Sequence, residues 1–232
     1  VGGVACTEYT YPMLKVYVAG GKINGWIITS PVKESDLAME AANSFVKAGQ
    51  VDAKLAAKVN EGLEKVKNYY STAGTVAFRS GDAAAAAAAY TAADQVQNMP
   101  GFTGKKSGDF IYNAGLTYVM DGEKNPASFA KGAEALTKAL ESGYADETGN
   151  IYYYLFHAYY GQKDSSVRVA NMQRAKQVLM EGMAKFPANT RIIEGLISIY
   201  TDPENPVGDP QELVAMVDGA LAKDPQNKDL WN

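Results

Sequence analysis

Four times along this chain of 232 residues, three side chains recur at a spacing of four and then three. They are Ala86, Tyr90 and Ala93; Gly132, Leu136 and Ala139; Ala175, Leu179 and Gly182; and Leu213, Val217 and Ala220. That spacing puts all three residues on one face of an α-helix. A face of small residues around one large one lets a neighbouring helix come close. The first occurrence lies in GDAAAAAAAYTAAD, where seven alanines precede Tyr90. Alanine is the best helix former, yet a helix of methyl groups buries little surface unless another helix approaches its backbone. Ala86 and Ala93 are expected at that contact, with axes near the lower end of the ~8–10 Å packing range. Tyr90 then fills the gap between repeats, and Ala84, Ala85, Ala88 and Ala92 face solvent.

The rest of the pattern is helical after Pro31. Residues 35–49 read as a capped helix ending at Gly49. Leu55, Val59, Leu63, Val66, Tyr70, Ala73 and Ala77 form one apolar stripe along a long helix over 52–80. The alanine helix follows, then helices near 109–121, 127–142, 150–161, 167–185, 190–201 and 210–223. Strand character is confined to 14–30, where Val16, Val18, Ile23, Ile27 and Ile28 flank the turn-rich AGGKING. The expected organisation is a hairpin-like or irregular arm over 1–34 and a helical array over 35–225. Residues 226–232 begin a further helix, and the array as given reads as an excerpt.

The first helix of each pair carries a matching signal. Gly74, Gly115 and Gly195 stand where a small residue admits a neighbour, and Tyr118 and Tyr159 fall three residues beyond that point in their helices. Phe156 departs from the pattern. Together the motifs over 67–225 resemble the tetratricopeptide repeat family, whose unit is a helix-turn-helix of about 34 residues. Trp231 falls where that family places a first-helix Trp. The long inserts DGEKNPAS, GQKDSSVR and DPENPVGDP resemble irregular members from the envelopes of Bacteroides-like bacteria. The resemblance implies an all-α, right-handed superhelical array of antiparallel helix pairs, an α-solenoid with a partner-binding groove lined by first helices. The inward positions it implies are Asn68, Ser71, Thr75 and Phe78, then Asp109, Tyr112, Leu116 and Val119. In the third repeat they are Asn150, Tyr153, His157 and Tyr160, and in the fourth Asn189, Ile192, Leu196 and Ile199. These are aromatic and aliphatic, densest in IYYYLFHAYYG, and lack the cations that would clamp a peptide's terminal carboxylate. Tyr152 and Tyr159 are expected to be structural.

Composition narrows the function further. A net charge of −4 lacks the basic face of a nucleic-acid binder, Lys105-Lys106 being the densest cationic spot. Cys6 and His157 are each alone, too few ligands for a structural zinc site, so no metal and no cofactor is expected. The G-x-x-x-x-G-K-[ST] spacing is absent. The sequence therefore points to a non-enzymatic scaffold for a protein or peptide partner, in the periplasm or at the outer membrane, with the cytoplasm as the alternative. Two other readings stay open. VGGVAC resembles the end of a bacterial lipoprotein signal, making Cys6 a lipidation candidate and the chain an anchored subunit of an outer-membrane assembly or glycan-uptake complex. A helical-array glycoside hydrolase would need two carboxylates roughly 5–9.5 Å apart; Asp109 is the one inward carboxylate, and Glu194 is expected to flank the groove.

Overall fold

The computed structural model of the chain describes residues 7–11, 14–20, 22–28, 34–144, 146–204, 207–223 and 225–226. Cys6 and the segment 227–232, with Trp231, lie outside the described residues.

Two parts of unlike architecture follow one another. The arm is a three-stranded antiparallel meander, β1 (Thr7–Tyr11), β2 (Leu14–Ala19) and β3 (Lys22–Ile28), in the order β1-β2-β3. Val16 stands opposite Tyr9 on one side and Trp26 on the other. The expected hairpin is present as β2–β3. β1 adds a strand that the sequence reading did not anticipate, because TEYTY is short and carries no apolar alternation.

The helical part comprises, among the described residues, α1 (Glu34–Val51), α2 (Ala56–Arg79), α3 (Ala83–Gln97), α4 (Asp109–Gly122) and α5 (Ala127–Glu141). It continues with α6 (Asn150–Tyr160), α7 (Ser165–Lys185), α8 (Thr190–Tyr200) and α9 (Pro210–Lys223). A single 3-10 turn, Ala53–Leu55, leads into α2 and is capped by Asp52, which accepts a hydrogen bond from Lys54 N–H. Local chemistry sets several boundaries. Gly81 takes φ +80°, left-handed backbone that suits glycine. Asp82 then accepts from Ala85 N–H to start α3. Asp164 and Asn189 cap α7 and α8 in the same way.

α2–α3, α4–α5 and α6–α7 are antiparallel pairs, and α3, α5 and α7 each pack on the first helix of the next pair. α4, α6 and α8 also touch one another along the stack. Among the described residues α3, α5 and α7 make no comparable contact with each other. From α4 onward, first helices that meet while second helices are spread give a wedge, so α4, α6 and α8 form the inner wall of an α-solenoid-like stack, whereas at the other end α3 touches α1. None of the described helices is long and apolar enough to cross a membrane.

The recurring small residues lie at these contacts. Ala86, Ala93, Leu136, Ala139, Ala175 and Leu179 have no exposed surface. A Cβ on Gly115 would stand 2.6 Å from Leu136 Cγ, and one on Gly182 would stand 2.7 Å from Tyr152 Cβ. These glycines give way to a neighbour's bulk. In α9 the pattern weakens: Leu213 and Val217 are only half-buried. Tyr90 packs on Gly74 of its own pair, its hydroxyl 3.3 Å from Thr75 Oγ1, and also joins Ala114 of the next pair in one cluster. As expected, Ala84, Ala85 and Ala88 are exposed, whereas Ala92 is half-buried.

Candidate functional site

On the inner wall, aromatic rings make an unbroken strip from α4 to α8. Tyr112 of α4 stacks on Tyr144, which follows α5, with ring centroids 4.5 Å apart at 16°. Tyr112 also meets Tyr154 of α6 edge-on at 6.5 Å. Tyr154 meets Tyr153 at 5.7 Å, and Tyr153 meets His157 at 4.4 Å, both edge-on. Arg191 of α8 closes the strip: its guanidinium lies 5.7 Å from the Tyr153 ring centre, and Nη1 donates to Tyr154 Oη at 3.4 Å. Edge-on and offset contacts suit the ring quadrupoles, and a guanidinium over a ring adds a cation–π attraction.

The electrostatics of the strip are those of half-buried phenols. Burial is the main cause that raises the Tyr112, Tyr144 and Tyr153 hydroxyls above the ordinary tyrosine range. Neighbouring phenols and Asp146 add to this at Tyr112, and Glu194 adds at Tyr153. All three stay protonated at neutral pH and can donate. His157 moves the other way: burial lowers it from the usual value, and Glu123 only partly opposes that. It is therefore an uncharged ring at neutral pH.

Several residues expected in the groove are committed elsewhere. Ile192 and Leu196 are fully buried core residues of α8, and so is Ile199; none of them is open to a partner. The face of α8 that meets the strip instead carries Arg191 and, one turn on, Glu194. The misassignment has a simple cause. TRIIEGLISIY has two distinct faces, Ile192, Ile193, Leu196, Ile199 and Tyr200 buried and Arg191, Glu194 and Ser198 exposed, and the register implied by the repeat family takes the buried face as the inward one. Tyr160 donates to Asp202 Oδ2 at 3.0 Å. Its ring lies under Arg168, which pairs with the same carboxylate at 3.2 Å. That triad, with Arg168 and Asp202 buried and Tyr160 half-buried, pins α6 to α7 and to the segment after α8.

Asn150 and Asn189 form a ladder at the helix tips. Asn189 Nδ2 donates to Thr148 O at 2.6 Å and lies 3.4 Å from Asn150 Oδ1. Asn150 Nδ2 in turn donates to Thr148 Oγ1 at 2.7 Å. Beside this ladder a cleft of about 500 Å³ runs from Glu147 to Arg191 over Phe186 and Pro187. Leu116 is half-buried on α4. In α2, Asn68 and Phe78 are exposed, while Ser71 and Thr75 are half-buried and joined by a hydrogen bond from Thr75 Oγ1 to Ser71 O. Among the described residues, no ring contact or hydrogen bond links these four to the tyrosine strip, and α2 makes no contact with α4 like that of α4 with α6. Of the expected residues, the structure thus brings together Tyr112, Tyr153 and His157. It adds Tyr144, Tyr154 and Arg191, which the helical register had not placed there. Tyr152 is buried and Tyr159 half-buried, with a 3.4 Å contact from its hydroxyl to Thr137 Oγ1.

Fold and wall define a stack of helix pairs with an aromatic inner surface. Compared with family models, with curated proteins and with solved structures, the chain matches none of them. Among the described residues, no group of three or more His, Cys, Asp or Glu is placed to hold a metal ion.

Proposed function

We propose that this chain is a non-enzymatic, tetratricopeptide-like scaffold that holds a protein or peptide partner on the α4–α6–α8 wall. The observation that carries this reading is the strip from Tyr144 to Arg191, built from three successive pairs and continuous along the stack. Tyrosine and arginine are the side chains on which interfaces concentrate their binding energy. A ring already held by its neighbours also loses little freedom when it is covered. Repeat stacks present such surfaces because each unit touches only its neighbours, leaving one wall of the stack available. Residence in a bacterial envelope is part of the proposal and rests on the residues before Cys6 and on the long inter-helix inserts.

Site-specific photo-crosslinking in the native host tests the reading. A photoreactive residue at Glu194 or Ser198 should form protein adducts, and one at Gln173 or Gln177 of α7 should not. Adducts confined to α7 would overturn it. Acylation of Cys6, read by mass spectrometry of the native protein, tests the envelope assignment.

A further inference from the structure

The strip carries a specific hydrogen-bonding demand. The hydroxyls of Tyr112, Tyr144 and Tyr153 make no hydrogen bond to any described residue, although their rings are half-buried and interlocked. Other tyrosines on these helices differ. Tyr152 accepts from Lys185 at 2.8 Å, Tyr154 accepts from Arg191, and Tyr160 donates to Asp202. Arg191 also has no ion-pair partner within 4 Å among the described residues, and one neutral hydroxyl at 3.4 Å satisfies little of its fork of donors. The wall therefore offers three neutral phenol hydroxyls, each with a proton to donate, and one cation without an ion-pair partner among the described residues, in a row between ring edges.

Resting on the interaction reading above, we propose that the strip receives an extended proline-rich segment in polyproline II conformation, with an acidic residue set beside Arg191. The match is one of complementary groups. A β-strand segment would bring one backbone N–H per residue, more than the few phenol oxygens of the strip can accept. A helical partner would keep its carbonyls to itself. A proline-rich segment presents carbonyl acceptors, has few or no N–H donors, and is already extended, so docking orders it at little entropic cost. Its pyrrolidine rings fit between tyrosine edges. The raised hydroxyls of the wall stay protonated and so remain donors to those carbonyls. At the α8 end the guanidinium would take a carboxylate in a charge-assisted bond, stronger than a neutral one.

Fluorescence anisotropy with the full chain and a short labelled proline-rich peptide carrying one terminal glutamate tests this. The parent peptide should bind. Replacing its prolines with alanine should abolish binding, and replacing the glutamate with lysine should weaken it roughly tenfold. Tyr112→Phe with Tyr153→Phe keeps every ring and removes two donors, and should weaken binding by about tenfold or more. Arg191→Gln should erase the preference for glutamate over lysine. Equal affinity for the alanine peptide, or undiminished binding by the double Phe variant, overturns the proposal. Photo-crosslinking separates the two levels of the argument. Adducts at Glu194 or Ser198 with no proline-peptide binding would overturn this inference and leave the scaffold reading standing, whereas adducts only on α7 would overturn both.

Discussion

In the α2–α3 pair the bulk sits on the second helix: Tyr90 lies across Gly74, where a Cβ would meet its ring at 2.8 Å. In α6–α7 the bulk sits on the first. Tyr152 lies against Gly182, and Phe156 lies near Gly195 of the following helix. The α4–α5 pair is intermediate, with Leu136 against Gly115 and Val119 against Gly132. All three meet the same requirement, a large side chain in a neighbour's hole, and so keep the close density of protein interiors. What differs is where the aromatic rings end up. In the first pair Thr75 Oγ1 meets the Tyr90 hydroxyl internally, and the tyrosines of α2 itself, Tyr69 and Tyr70, pack in the cluster shared with α1. On α4 and α6, rings spill onto the inner wall with hydroxyls left over. The same packing rule thus leaves α2 outside the tyrosine strip and builds that strip along α4, α6 and α8.

The largest test of that comparison is Phe156→Ala. Phe156 is 2 % exposed, and its loss should cost about 3–5 kcal/mol, read by chemical denaturation. If the bulk in α6 were ornamental, the cost would be that of a surface change. The reciprocal test is Ala86→Leu in the alanine helix. It adds bulk at a fully buried methyl one turn before Tyr90 and should destabilise by about 1–3 kcal/mol. A neutral outcome would mean that α3 does not approach its neighbours closely, and the contrast between the two pairs would dissolve.

Much of this was legible in the chain, and for a physical reason. Small residues at a fixed helical spacing have few uses other than close contact, so Ala86, Ala93, Ala139, Ala175 and Gly182 announced both the helices and their buried faces. The helix starts at Ala83, Asp109, Ala127, Asn150, Thr190 and Pro210 were likewise readable from caps, glycines and prolines. The site was less legible. Tyr144 lies outside any helix and reaches Tyr112 only because the turn after α5, begun by Gly143 at φ +81°, brings it back. Arg191 lies with Glu194 and Ser198 on a polar face that the spacing does show, but the register implied by the repeat family points Ile192 and Leu196 inward instead. Tyr160 was assigned to the groove because its tie to Asp202 crosses a loop between helices that no local pattern reports.

A smaller effect distinguishes the two uses of a tyrosine hydroxyl. Tyr90→Phe in the first pair removes a hydrogen bond to Thr75 and should cost about 0.5–1.5 kcal/mol. Tyr153→Phe on the wall breaks no hydrogen bond within the described chain and should leave the melting temperature nearly unchanged. Equal losses would show that the Tyr153 hydroxyl has an internal partner, and the wall would then lose one of the donors that set it apart from α2.

The smallest effect concerns the ring that ends the strip. His157 touches Tyr153 at 4.4 Å and Phe156 at 4.8 Å, and burial holds its pKa below the ordinary value of 6.5. A histidine depressed in the folded state binds fewer protons there than in the unfolded chain. Its contribution is therefore complete above about pH 6.5 and is lost as pH falls from there through the lower folded value. Glu123 opposes the shift and limits the loss. Denaturation of the parent chain and of His157→Gln, followed across that window, should show the parent losing stability more steeply with acid. The α2–α3 pair contains no histidine, so a hydrogen-exchange profile should place the acid-induced loss at α6 and its neighbours. A loss centred on α2–α3 would trace it to carboxylates there instead, and the aromatic end of the stack would not be the acid-sensitive one.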